Sequence, residues 1–339
     1  MPAIGLDVGS SSIKLISLSG NRKKPKLEAF GLAVNPVGNL ITENQNEQIK
    51  IAESIKKLFT DAQIKERKAV AALSEARVFT RVVDIPILSD AELASAIGWE
   101  AEQYIPVPIS DVQLDYRVLA KPEVPTTGAK MKVFLVAAPK IAVDSFVHIL
   151  EMAGVEPISL ETEILGLSRS LGTDANSTIL VVNLGASSTD LCVIENGVIL
   201  ITRAMPSGGG AMSRALATEL GLEIAQAEQY KRSYGLNENQ LQGKVKKALL
   251  PVFNSVVGEI RKIIHFYSTK RKGKFSRIVL SGGGAYLPEI STDLARELGV
   301  EVVLGNPFAG VEMKEDQRKK VAPITAVFSV AVGLARREL

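Results

Sequence analysis

The chain has 339 residues, 40 of them Lys or Arg and 37 Asp or Glu, so its net charge is only +3. A single cysteine excludes an internal disulfide and a cysteine-based metal cage, and two histidines exclude a histidine-rich metal site. The length fits about two domains, and the near balance of charge gives no reason to expect nucleic acid as a partner.

The N-terminus, "MPAIGLDVG", lacks the basic-then-apolar pattern of a secretory signal. "AIGLDVG" reads as a strand, "SSS" as a turn, and "IKLISLSG" as an alternating second strand. The basic tip "NRKKPK" follows, and "KLEAFGLAV" completes a β-meander. "ENQNEQIKIAESIKKLFTDAQI" is an amphipathic helix with Ile51, Ile55, Leu58 and Phe59 on one face. "AVAALS" and "VFTRVVDIP" are strands, and Ser89 with Glu92 forms a capping box for the helix through "AELASAIGWEAEQYI". After "PVP" come a strand, a Pro/Thr/Gly loop over Lys121–Lys130, a strand "KVFLVAA", and a helix from about Lys140 to Ala153. Residues 81–160 therefore read as an inserted β-α-β-β-α unit, after which "PISLETEILGLSRSL" returns the chain to the first domain.

A second meander then begins. "TILVVNLG" turns at "ASS", returns as "TDLCVIENG", and passes through Asn196-Gly197, a hairpin turn signal, into "VILITRAMP". This stretch repeats the start of the chain. With Gly9 laid on Gly185, Leu6, Val8, Ser11, Ser12 and Leu15 meet Val182, Leu184, Ser187, Ser188 and Leu191, but Asp7 meets Asn183. "SGGG" from Ser207 opens a helix, and "EIAQAEQYKRSYG" forms the next. A long helical stretch runs from about Gln242 to Thr269. A second "SGGG", from Ser281, follows the strand "RIVLS", and "APITAVFSVAVGLARREL" is a terminal helix. Its apolar core of 12 residues, Ile324–Ala335, is too short to span a bilayer. The chain reads as cytoplasmic, reaching a membrane only through a partner.

Glycine and hydroxyl residues after a strand let backbone N–H groups converge on an anion, because no Cβ blocks the approach. One such hairpin is also explained by a plain β-turn. Two copies, with two further "SGGG" turns each abutting a strand or helix, point to phosphate binding. The order "IGLDVGSSSIK", "VVNLGASSTDL", "PSGGGAMSRALA", "IVLSGGGAYLPEI" and "ITAVFSVAVGLA" resembles the phosphate, connecting and adenosine motifs of the actin, heat-shock-chaperone and sugar-kinase ATPases over essentially the whole chain. Within that superfamily, "IGWEAEQYIPVPISDVQLDYRVL" and "VFLVAAPKIAVDSFVHILEMAGVEP" resemble the insert of the pilus-assembly family PilM, and more distantly the division family FtsA.

The resemblance implies an α/β fold. Two actin-like, ribonuclease H-like domains would flank a nucleotide cleft, with residues 1–80, 161–178 and 323–339 in the first, 179–322 in the second, and 81–160 as the inserted subdomain. It implies ATP and magnesium as cofactors. Gly9, Ser10, Ser11 and Ser12 would bind the outer phosphates, with Lys14 nearby and Asp7 orienting magnesium-bound water. Gly185, Ser187, Ser188 and Thr189 would close from the other domain. Gly208, Gly209 and Gly210 would pass close to sugar and phosphates, and Gly282, Gly283, Gly284 and Tyr286 would line the adenine slot. For Tyr286, packing and stacking both remain open. Glu228 and Lys231 would contact ribose and adenine; the plain alternative is a surface ion pair worth roughly 0.2–0.5 kcal/mol. Asn183 departs from the aspartate common at this position, so binding with slow or absent turnover is expected, unless Asp7 alone suffices.

The implied function is a scaffold that binds the N-terminal tail of a PilN-like inner-membrane protein, in a groove between the inserted subdomain and the first domain, among other pilus machinery. Self-association stays open. Trp99, Tyr104, Ile105 and Pro106 are either internal packing or part of that groove. A small-molecule kinase and an FtsA-like filament former are the alternatives. The basic run Ser268–Arg277 reads as a solvated loop, His148 and His265 as packing or surface residues, and Cys192 as a buried inert thiol.

Overall fold

The structure is a computed structural model, and it describes residues 2–38, 42, 44–122, 128–172, 176–271 and 273–339. The centre of the Lys121–Lys130 loop and residue 272 of the basic run lie outside the described residues.

The chain opens with β1 (Ala3–Val8), β2 (Ser12–Asn21) and β3 (Lys24–Val34), joined by tight turns as an antiparallel meander. All six residues of β1 are buried, as a near-continuous apolar run requires. Helix α1 (Gln45–Asp61) is capped by Asn44, whose side chain accepts from the Asn46 N–H, and it buries Ile51, Ile55, Leu58 and Phe59. β4 (Lys68–Leu73) pairs parallel with β1. β5 (Phe79–Pro86), α2 (Asp90–Glu102), β6 (Val112–Ala120) and β7 (Lys130–Pro139) form a three-stranded antiparallel sheet in the order β5-β7-β6, with α2 on one face. The Ser89–Glu92 capping box starts α2 as the sequence predicts.

Helix α3 (Lys140–Met152) and β8 (Glu156–Thr162) leave this layer. The sequence places both in the inserted unit. In the structure Phe146, Ile149 and Leu150 of α3 pack with Ile51, Ile55 and Phe59 of α1, and β8 pairs parallel with β4. The amphipathic pattern of α3 shows that it has an apolar face but not which sheet receives it. The first sheet therefore has the order β3-β2-β1-β4-β8.

Helix α4 (Glu163–Leu171) leads to β9 (Thr178–Leu184), β10 (Thr189–Glu195) and β11 (Val198–Met205), the second meander. Asn196 and Gly197, with φ of 52° and 78°, turn β10 into β11. Then come α5 (Gly209–Leu220), α6 (Ile224–Tyr234), α7 (Lys244–Arg271), β12 (Arg277–Ser281), α8 (Ile290–Leu298), β13 (Val302–Leu304), α9 (Glu315–Val321) and α10 (Ser329–Ala335). The second sheet, β11-β10-β9-β12-β13, repeats the first strand for strand: two antiparallel pairings, then two parallel ones. The terminal helix is broken, with a 3₁₀ segment at Ala322–Phe328 ahead of α10.

Between the sheets, α4 and α10 cross at Gly166 and Gly333, where a Cβ on Gly333 would overlap the Gly166 carbonyl. A shared core of Ile164, Leu167, Val181, Cys192, Phe134 and Leu334 fills the junction of α4, α10, the second sheet and the inserted sheet. No helix among the described residues is long and apolar enough to cross a membrane.

Candidate nucleotide cleft and groove

The two repeated turns have one geometry. The Gly9 N–H donates to Ser12 O at 3.0 Å, and the Gly185 N–H donates to Ser188 O at 2.9 Å. A Cβ on Gly9 would lie 2.9 Å from Lys14 Nζ and 3.2 Å from Ser12 O, so a side chain there would crowd the turn. The turns meet: Ser10 Oγ donates to Ser187 Oγ at 3.1 Å. Asn35 holds the first one from behind, its side-chain amide donating to Gly9 O (3.0 Å) and its backbone N–H to Ser11 O (3.1 Å).

Cross-strand neighbours differ between the copies. Asp7 lies opposite Lys14, and the buried carboxylate is 3.1 Å from the half-buried ammonium. Asn183 lies opposite Asp190, and its Nδ2 donates to Asp190 Oδ2 at 3.2 Å. Asp190 occupies in the second hairpin the place that Lys14 holds in the first. The carboxyl absent at 183 is thus present across the strand, a feature that reading position 183 alone misses.

Gly208, Gly209 and Gly210 lock α5 onto the second turn. The Gly209 N–H donates to Gly185 O (2.9 Å), the Gly210 N–H to Ala186 O (2.8 Å), and Thr189 Oγ1 to Ser207 O (2.8 Å). Lys231 is buried and donates to Gly209 O (2.9 Å), Ser213 Oγ (2.9 Å) and Glu228 Oε2 (2.6 Å), tying α6 to the start of α5. This is no exposed surface pair. Burial opposes ionisation of Glu228, yet hydrogen bonds from Lys231, Ser213 and Arg232 bring its carboxyl down to about 2. Gly282 needs its φ of 79°, and a Cβ there would meet Leu184 O at 2.6 Å and Asn183 Oδ1 at 2.9 Å. Gly284 presses on Leu184, whereas Gly283 faces open space. The Tyr286 hydroxyl accepts from the Ala326 N–H at 2.9 Å, which gives the ring a packing partner in the 3₁₀ segment.

Three buried carboxyls join this site that the sequence reading does not name. The Glu75 carboxylate accepts from the Ile164 N–H (3.1 Å) and Thr80 Oγ1 (2.9 Å), while the Glu163 carboxylate accepts from the Glu75 N–H (3.4 Å). Burial raises Glu75. Burial, then the charges of Asp190, Asp7 and Glu75, hold Glu163 well above the usual carboxylate range. Burial, then the charge of Glu75, pushes Asp190 up to about 8. Asp190 Oδ1 is buried with no hydrogen-bond partner among the described residues. Among those residues no group of three or more His, Cys, Asp or Glu is arranged to hold a metal directly.

Two cavities flank the inserted sheet. The larger, about 420 Å³, lies between β6 and α4 and is lined by Arg22, Arg117, Leu119, Leu165, Arg169 and Arg336, among others. The smaller, about 290 Å³, lies between β5 and β11 and holds Glu75, Tyr104, Ile105 and Thr202 in its wall. Tyr104 sits under Arg81, whose guanidinium is 4.6 Å from the ring centre. Trp99, 77% exposed, and the exposed Pro106 line neither cavity. Of the four residues grouped by sequence, Tyr104 and Ile105 thus share the wall of the smaller cavity, while Trp99 and Pro106 stand at the surface.

The model of the type IV pilus assembly protein PilM family matches residues 5–339. A solved PilM–PilN type IV pilus biogenesis complex superposes with a TM-score of 0.87 at 30% identity, covering 99% of this chain and 98% of that one. The cell division protein FtsA of Neisseria meningitidis serogroup B is 22% identical over 273 residues, covering 72% of this chain and 64% of that protein, just under two thirds of its length. MreB 5 of Spiroplasma citri, solved bound to AMPPNP, shares the fold with a TM-score of 0.54 at 13% identity, covering 98% of this chain and 94% of that one. With its two repeated sheets on an actin-like plan, the chain belongs to the PilM family of type IV pilus assembly proteins.

Proposed function

We propose that this chain is a nucleotide-binding scaffold of pilus assembly, clasping ATP between the turns at Gly9–Ser12 and Gly185–Ser188. The observation that carries the reading is the Ser10–Ser187 contact, which brings two anion-binding turns from separate sheets to one point. The AMPPNP held by the related MreB fold supports it. Residues 1–80, 161–178 and 323–339 form the first domain in this reading and 179–322 the second. The separate inserted layer narrows to residues 81–139, and residues 140–160 join the first domain, because α3 and β8 pack with the first sheet.

Magnesium fits this donor set through a single carboxylate. The ion keeps most of its waters and takes one or two carboxylates together with substrate phosphates, and Asp7 is the carboxylate beside the turns. Bound there, it would neutralise phosphate charge. Turnover is slow, because Asn183 is neutral and Asp190, near 8, is mostly protonated at neutral pH. Glu163 supports a second reading, a cycling ATPase, since a buried carboxyl in the cleft suits positioning of water. Purified protein is incubated with ATP and magnesium, and the nucleotide still bound after hours is identified. Intact ATP is expected; ADP with steady phosphate release overturns the slow-turnover reading.

The partner is a PilN-like membrane protein, as the related PilM–PilN complex supports, and its N-terminal tail occupies the cavity between β6 and α4. β6 is an edge strand of its sheet, and it lends that cavity the run Arg117–Leu119, a free edge for an extended peptide. Saturable binding of a labelled tail peptide tests this, and no binding to any such tail would sink it.

A further inference from the structure

The sequence reading lets this chain reach a membrane only through its partner. The distribution of charge around the larger cavity argues for more. Four arginines line that cavity, Arg22, Arg117, Arg169 and Arg336, and no Asp or Glu does. Arg169 is paired with Glu161, and Arg336 donates to the carbonyls of Arg169, Pro307 and Ala309. Arg22 and Arg117 are exposed and have no ion pair among the described residues.

Arg22 lies on the turn between β2 and β3, and that turn continues the charge outward. Lys23 and Lys24 are exposed and likewise form no ion pair among the described residues. Their backbone N–H groups both donate to Asn21 Oδ1, at 3.0 and 3.1 Å, so the tip is held in one shape that presents three cations in succession. Some basic residues elsewhere are neutralised. Lys246, Arg261, Lys262 and Arg296 on α7 and α8 each pair with a carboxylate. Three exposed cations in succession, Arg22, Lys23 and Lys24, thus stand with Arg117 at the rim of one cavity, where Val118 is also 37% exposed.

We infer that this rim is a docking surface for an anionic lipid bilayer. The inference rests on the tail reading for its geometry: a membrane protein's tail seated in the cavity spans at most about 3.5 Å per residue, so its bilayer lies within tail length of this rim. Unpaired cations on that face meet the negative surface potential of anionic lipids, and each basic residue near such a surface raises partition about fivefold. The tail and the rim then act as two anchors on one plane, and the second binding event is intramolecular.

The test uses the full chain without its partner. Co-sedimentation is measured with vesicles of equimolar phosphatidylglycerol and phosphatidylcholine, and with phosphatidylcholine alone, at low salt. Binding to the anionic vesicles only is expected, with release near 1 M salt, where the screening length is about 3 Å. Lys23→Gln with Lys24→Gln should lower the partition about 25-fold. Neither lysine lines the cavity, so affinity for the tail peptide should not change. Equal recovery with both vesicles, or a double variant that partitions like the parent, overturns the inference. A parent that binds anionic vesicles but no tail peptide defeats the tail reading alone. One that binds the peptide but not the vesicles defeats the lipid face alone.

Discussion

Replacing Asp190 with Asn should flatten the pH dependence of stability. Asp190 is 1% exposed and its carboxyl is pushed up from 3.8 to about 8. Below 3.8 both the folded and the unfolded chain hold the proton, and well above 8 neither does. Between those values only the folded chain holds it, so raising the pH there favours unfolding. Each pH unit costs about 1.4 kcal/mol for one such group. From pH 5 to pH 8 the ceiling is about 4 kcal/mol. Glu75 and Glu163 are buried beside Asp190 and take up part of that proton linkage, so about 2–3 kcal/mol is expected. Asn at 190 keeps an oxygen for the Asn183 amide and cannot titrate. Urea unfolding of the parent and D190N at pH 5, 6.5 and 8 reads the difference. The parent should lose stability relative to the variant as pH rises. Parallel profiles would refute the argument, because they would mean that Asp190 titrates alike in both states.

Two further substitutions separate packing from binding. Gly208→Ala places a Cβ 2.5 Å from Gly185 O and 2.8 Å from Ser188 O, both backbone atoms that cannot rotate away. It should cost about 1–3 kcal/mol in urea unfolding and weaken ATP retention, since α5 is fastened to the second turn there; an unchanged variant on both measures contradicts this. Tyr286→Phe removes the acceptor for the Ala326 N–H and should cost about 1 kcal/mol with nucleotide affinity unchanged. A stable variant with tenfold weaker nucleotide binding would show instead that the hydroxyl serves the ligand.

What the sequence disclosed followed from local chemistry. The Gly9 and Gly185 turns were legible because each is closed by a hydrogen bond spanning four residues. Asn196-Gly197 was legible because both residues accept positive φ. Glu75 and Glu163 were not, because the amides and carboxylates they exchange are 88 and 89 positions apart. Asp190 could have been found: the same shift that lays Asp7 on Asn183 lays Lys14 on Asp190, so the copies exchange an acid–base pair for an amide–acid pair. Trp99 shows the converse. An aromatic in a helix reads as either internal packing or a partner contact, and only the fold shows that α2 buries Leu93, Ile97 and Ala101 and turns Trp99 outward, away from the packing.

The contact of Gly166 with Gly333 has a consequence for how the two halves vary and move. The chain passes from the first sheet to the second through α4 and returns through α10, so both passages share this one point. No residue is smaller than glycine. A methyl group gained on one helix therefore cannot be accommodated by trimming the other, and substitution here has no compensating partner. At the crossing itself backbone rests on backbone, while Ile164, Leu167 and Leu334 pack beside it in the shared core, so the contact point is set by the two main chains and the fit around it by side chains. The crossing is therefore a point on which both helices must turn if the two sheets are to shift against each other.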